Sequence, residues 1–253
     1  MIAYSRNMDP TYENFAAECP CCGASNIFNR ASDLQTFEPI AFRTVKCQTC
    51  KLAFNINGDS VDAAHQMFLS DCFALIERKQ YMQCILSVAQ AYEVFFSHFL
   101  HVQLVYRAFA QDNSHDLKRL NGIIRQLYKR VKCLGFDQLR HLVLRTIVDK
   151  VAPASLTDAE AAVGALPKRR EIVPVPRETI EVMSDTLLKA LPLRLLDADV
   201  NKLRNRVVHK DAYRPKFTEA KRAHDQAREI LLGLTGRLRL QYDVDWYIGA
   251  AGR

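Results

Sequence analysis

The sequence predicts a mainly α-helical protein headed by a small β module that four cysteines hold together. Two observations carry this. Five of the eight cysteines fall within the first 50 residues, among prolines, glycines and short β-prone runs. From Ser60 onward, long stretches lack Gly and Pro, and their apolar residues recur at three- and four-residue intervals. Apolar residues alternating with mostly polar ones at the C-terminus are a third signal, of a strand.

The N-terminal module is expected to span 1–58. Cys19-Pro-Cys-Cys22-Gly and Cys47-Gln-Thr-Cys50 are two C-x-x-C pairs. Each pair can turn two thiolates toward one ion, and two such turns complete a tetrahedral Zn²⁺ site. Cys19, Cys22, Cys47 and Cys50 are therefore the expected ligands, with Cys21 a spare and Phe42–Lys46 and Leu52–Ile56 as strands of a zinc ribbon. Four thiolates leave no open position, so this zinc is structural and no catalytic metal is expected. The ribbon is free to serve nucleic-acid binding, protein binding or capping of the fold. Cys72, Cys84 and Cys133 lie in apolar helical sequence and are expected as small buried hydrophobes.

The helical region is expected over 60–235. Its first helices are read at 60–78 and from Tyr81 through Phe109. A third runs from about Ser114 to Lys132, and a fourth follows Gly135 from Phe136 to Val151. Residues 152–176 hold four of the nine prolines and read as a connection with one short helix near 157–165. Helices then resume at about 177–190, 193–210 and 216–234, with Pro192 and Pro215 at the boundaries. In the 236–253 tail, Leu238, Leu240, Tyr242, Val244, Trp246 and Ile248 alternate with mostly polar residues. That period of two predicts a strand, whose natural partner would be the N-terminal module.

The chain has a formal net charge of +7, with 49% hydrophobic and 25% charged residues. No apolar run approaches the roughly 20 residues of a membrane span, and the polar start does not resemble a signal peptide, so a cytoplasmic protein is expected. Residues 113–150 carry nine Lys and Arg against three Asp, and 201–239 carry eleven against four Asp and Glu. Two basic segments on an otherwise acidic chain suggest a polyanionic partner. In the third helix, Lys118, Arg125, Lys129 and Lys132 share one face opposite Leu120, Ile124, Leu127 and Val131. Such a row fits an RNA backbone, although a solvated face has the same pattern.

The segment Asp199–Lys210 contains Arg204-Asn205-Arg206-Val207-Val208-His209. Leu196, Val200, Leu203 and Val207 form an apolar stripe, and Asn205 and His209 fall on the opposite face, one turn apart. Arg204 lies between the two faces. This pattern resembles the R-x4-6-H signature of HEPN domains, including the polar residue after the arginine. The 210–220 segment is similar to that family's turn into its last helix, and 77–93 to its opening helix pair. The specific part is 203–220, and the long 113–176 region departs from the minimal pattern as an insertion.

The resemblance implies a HEPN-like antiparallel helical bundle working as a homodimer with a composite active site. It implies a metal-independent endoribonuclease with Arg204, Asn205 and His209 catalytic, leaving 2′,3′-cyclic phosphate and 5′-hydroxyl ends. Lys118, Arg125, Lys129, Lys132, Arg206 and Lys210 would then bind RNA. Glu93 is either a surface acid or the acid that meets the motif arginine. His98 and His101 are expected in packing or surface roles. A toxin or antiviral-defence role fits the resemblance. So do a non-catalytic nucleic-acid- or protein-binding module and a toxin held by a nucleotidyltransferase antitoxin.

Overall fold

The computed structural model describes residues 14–35, 42–57, 64–112, 116–209, 213–238 and 240. They fall into two compact units, one before Ala64 and one from Ala64 onward.

The first unit consists of two antiparallel hairpins, each built around one cysteine pair. Strands β1 (Asn14–Glu18) and β2 (Ser25–Asn29) pair from Asn14↔Asn29 to Glu18↔Ser25. Strands β3 (Phe42–Lys46) and β4 (Ala53–Asn57) pair from Phe42↔Asn57 to Lys46↔Ala53. The expected ribbon strands are therefore present, the second shifted by one residue. The first hairpin was missed because Asn and Ala dilute its β-prone residues. Phe28, Leu34, Phe54 and Ile56 make a small core with Cys19 and Cys47. A core of this size supports few hairpins without a cross-link or metal.

The second unit is helical. Helix α1 (Ala64–Glu77) leads into α2 (Tyr81–His101) through a three-residue turn. There Lys79 takes a positive φ of 58°, the Gln80 amide donates to the Leu75 carbonyl, and the Lys79 amide donates to Ile76. This is a Schellman cap made without glycine. Helix α2 continues through a π-type turn at Val102–Tyr106 into α3 (Arg107–Gln111). Then come α4 (Leu117–Val131), α5 (Phe136–Val148), α6 (Leu156–Gly164), α7 (Arg177–Glu181), α8 (Thr186–Asp197), α9 (Val200–His209) and α10 (Phe217–Arg237).

Helix α2 is the centre of the unit, and its sequence explains why. Ten of its residues are buried, from Cys84 and Ile85 to Phe99 and Leu100, in one broad arc covering about half of the helix. It packs against α1, α5, α9 and α10. Tyr92 and Phe96 meet the Phe136 ring of α5 at 5.7 and 5.4 Å between centroids. Each such buried aromatic contributes about 1.5–3 kcal/mol through area burial.

Several expectations are corrected. Pro192 does not separate two helices but lies buried inside α8. The break falls at Ala198–Asp199, so 193–210 is not one helix, and Leu196 is not part of the α9 stripe. The missing amide and ring clash of a helical proline are outweighed by packing of α8 on α10, where Gly233 lets Leu191 approach closely. The expected 177–190 helix is interrupted after Glu181 and resumes at Thr186. Cys72 and Cys84 are buried, but Cys133 is exposed in the turn after α4. On α4, Ile123 rather than Ile124 joins Leu120, Leu127 and Val131 in the core. The expected tail strand lies almost wholly outside the described residues. Of its start, Leu240 is buried, donates its amide to the Thr235 carbonyl and offers its own carbonyl to His98 Nε2 at 3.1 Å. His101 Nδ1 lies 2.8 Å from the Ser97 carbonyl, so both histidines act in packing.

His65 is fully buried, with its ring 5.2 Å from that of Phe95 and 5.8 Å from that of His98. Burial, and secondarily His98, lowers its pKa to about 4. The unfolded chain therefore binds a proton near pH 6.5 that the folded chain refuses until about pH 4. Stability from this group is complete above pH 6.5 and is lost as pH falls toward 4, on the order of 3 kcal/mol. His141 and His224, lowered first by burial, act in the same direction. Urea unfolding at pH 7.5 and 4.5 should show this loss, and His65→Phe should remove most of it. Equal stabilities at the two pH values would contradict the assignment.

Candidate functional sites

The four cysteines of the first unit converge. Cys19 Sγ lies 3.8 Å from Cys50 Sγ, and Cys22 Sγ lies 3.7 Å from Cys47 Sγ. All four sulphurs lie within 4.8 Å of one another. A metal–thiolate bond of about 2.3 Å in a tetrahedron places sulphurs about 3.8 Å apart, whereas a disulfide needs about 2.05 Å. The donor set fits one four-coordinate metal ion and fills its coordination sphere.

The backbone builds this site twice by the same device. In the first knuckle the Gly23 amide donates to the Cys19 carbonyl at 2.9 Å, and Gly23 takes a φ of 68°. In the second, the Lys51 amide donates to the Cys47 carbonyl at 3.1 Å, with Lys51 at a φ of 62°. Asn26, fully buried, joins the hairpins. Its Oδ1 accepts the Gln48 amide at 2.6 Å, and its Nδ2 donates to the Ala24 carbonyl at 2.8 Å. Cys21 is exposed and stands outside the cluster.

The electrostatics also favour a cation there. Burial opposes a thiolate at Cys47, but the amides of Cys50 and Thr49 and the facing sulphurs outweigh it and bring the thiol down to about 6. At Cys50 the Leu52 amide favours the thiolate, yet burial and the other three sulphurs push the thiol up to about 12. Four thiolates cannot share this space without positive charge between them.

The second site is on α9. Asp199 starts this helix, its carbonyl accepting the Leu203 amide at 3.1 Å and its carboxylate pairing with Arg222 at 2.9 Å. Arg140 of α5 braces the junction behind it, donating to the Leu196 and Ala198 carbonyls at 3.3 and 3.0 Å. Arg140 also pairs with Asp137 at 2.8 Å, and Asp137 in turn accepts Asn201 Nδ2 at 2.9 Å. Val200, Leu203 and Val207 are buried, and α9 packs on α2.

With that stripe turned inward, Asn205 and His209 are exposed, and Arg204 is half-buried at the edge of the contact. Arg204 Nη2 lies 4.0 Å from Glu93 Oε1 of α2. A pair this long and this exposed contributes under about 1 kcal/mol, so the guanidinium stays available to an anion. Arg204, Asn205 and His209 thus share an outward surface at the end of α9. Two clefts on this unit, of about 680 and 550 Å³, are lined by other residues, among them Asp199 and Arg222 in the first and Gln103 and Arg107 in the second.

Arg206 is differently employed. Its guanidinium lies 3.9 Å from the Tyr213 ring centre and 3.6 Å from Glu219 Oε1. The Tyr213 hydroxyl donates to the same carboxylate at 2.7 Å, and its other oxygen accepts the Lys216 amide at 2.9 Å, capping α10. That amide first, then the Tyr213 hydroxyl, holds the Glu219 carboxyl below the usual range. Arg206 is therefore engaged within the chain, on the segment that follows His209. Lys210 lies outside the described residues.

On α4, Lys118, Arg125, Lys129 and Lys132 are all exposed, opposite the buried Leu120, Ile123, Leu127 and Val131. Arg140 and Asn26 carry no signal in the sequence. Their roles arise from contacts between distant elements, which no local pattern encodes.

Comparison with known protein families, characterised proteins and solved structures finds no match to this chain.

Proposed function

We propose that this chain is a metal-independent endoribonuclease of HEPN type, with Arg204, Asn205 and His209 at its active site. The observation that supports this best is the outward Arg204–Asn205–His209 surface, backed by Glu93 and seated on a helix whose start is fixed by Arg140. His209 exchanges the proton of a ribose 2′-hydroxyl. The 2′-oxygen bonds to the adjacent phosphorus, the bond from phosphorus to the 5′-oxygen breaks, and that oxygen takes up a proton. Arg204 supplies fixed positive charge to the pentacovalent phosphate, and Asn205 orients His209 or the phosphate. The products are a 2′,3′-cyclic phosphate and a 5′-hydroxyl.

One histidine must serve either the acid or the base step, so a second copy supplies the other from a facing motif, giving a homodimer. Lys118, Arg125, Lys129 and Lys132 hold the RNA backbone. In the same reading the ion among the four cysteines is zinc, because four thiolates at this spacing suit Zn²⁺ and close its coordination. A toxin or antiviral-defence effector is the role we assign to such an enzyme.

The test is an RNA oligonucleotide set against its all-deoxy counterpart. Cleavage of the RNA alone is expected, because only ribose carries the nucleophile. Cutting of both strands contradicts 2′-hydroxyl attack. Binding without cutting favours a nucleic-acid-binding module instead.

A further inference from the structure

Helix α4 presents a surface that a merely solvated helix does not need. Lys118, Arg119, Arg125, Lys129 and Arg130 lie within Leu117–Val131, which contains no Asp or Glu. Two of these cations are tied to α6: Arg119 pairs with Glu160 at 2.9 Å, and Arg130 donates to the Gly164 carbonyl at 3.2 Å. The others, Lys118, Arg125 and Lys129, and Lys132 just beyond, have no acidic partner among the described residues. A solvated helix face ordinarily offsets such a row with acids at i+3 or i+4, since like charges at that spacing repel.

An aromatic ring borders this row. Tyr128 is 57% exposed, and Lys132 Nζ lies 5.8 Å from its ring centre. Tyr128 lies one turn before Lys132 and three residues after Arg125, so its ring stands beside the cations on the outward surface. Gly122, also exposed on this face, has nothing within 4 Å of a Cβ position and leaves the middle of the row open. From Lys118 to Lys132 the row extends about 21 Å at helical rise, enough for several nucleotides.

We infer that this face of α4 is a docking surface for single-stranded RNA, with Tyr128 as the platform on which a base stacks. A base in a duplex is already stacked and offers no free π-face, whereas a single strand supplies both the phosphates and the open base. An anionic lipid surface or an acidic protein matches the cations but gives the ring no stacking partner. The assignment rests on the RNA reading of the α9 site only for its choice of ribose over deoxyribose, and it adds strandedness to that reading.

Binding is read by fluorescence anisotropy on the full chain carrying His209→Ala, in EDTA. The probes are a labelled 12-mer of mixed RNA sequence, the same RNA as a duplex, and the same sequence in single-stranded DNA. Phosphatidylserine vesicles, read by co-sedimentation, are a fourth arm. Tyr128→Ala should weaken single-strand binding about tenfold, Tyr128→Phe should stay within about twofold, and duplex binding should not change with either. Lys129→Gln should reduce the magnitude of the slope of log affinity against log salt by about 0.7. Unchanged single-strand affinity in Tyr128→Ala overturns the inference, as does duplex or vesicle binding at least as tight as that of the single strand. No cleavage is required, so a chain that binds this way yet never cuts overturns the nuclease reading alone.

Discussion

His209→Ala should reduce RNA cleavage by about 10²–10⁴-fold, the range that a positioned acid–base group supplies. The residue is exposed, is the last of α9 and supports no core contact, so the loss should come without a change in thermal stability. Arg204→Lys is informative beside it. Lysine keeps the charge but lacks the planar fork that can meet two phosphate oxygens, so activity should fall while RNA binding changes little. Rates of a labelled RNA under single-turnover conditions, with melting curves of each variant, check both. Full activity in His209→Ala would remove this histidine from the chemistry.

Removing the metal should unfold the hairpin pair and leave the helical unit intact. The hairpin core holds four buried apolar side chains besides two of the cysteines themselves, and a thiolate-bound zinc supplies about 10–16 kcal/mol of apparent folding free energy in small domains. Titration with a mercurial should release about one zinc per chain. Amide cross-peaks of residues 14–35 and 42–57 should then collapse to random-coil positions while far-UV helicity persists. Cys47→Ser should reproduce this, and Cys21→Ser, outside the cluster, should not. Retention of the hairpin cross-peaks without metal would show that the core suffices.

What the sequence revealed depended on how locally each feature is encoded. The paired C-x-x-C turns lie within four residues each, so both knuckles were legible, and the structure brings their sulphurs together. The α9 stripe was legible at Val200, Leu203 and Val207 because burial of one helix face imposes its period. Its extension to Leu196 failed because the Ala198–Asp199 break is held by Arg140, a residue some 60 positions away in sequence. Pro192 misled for a related reason: a local penalty was overridden by packing against Gly233. Arg206 looked free for RNA because its stack on Tyr213 depends on how the 213–216 segment turns back. The family resemblance left Glu93 open between a surface acid and a partner of Arg204, and the structure places the pair at 4.0 Å.

The most direct measurement is the chemistry of RNA ends after incubation of total RNA with the chain and its His209→Ala variant in EDTA. The wild type should leave 2′,3′-cyclic phosphate and 5′-hydroxyl ends, and the variant should leave the RNA intact. Linear 5′-phosphate ends, cutting that requires added divalent metal, or cleavage that survives His209→Ala would contradict this chemistry.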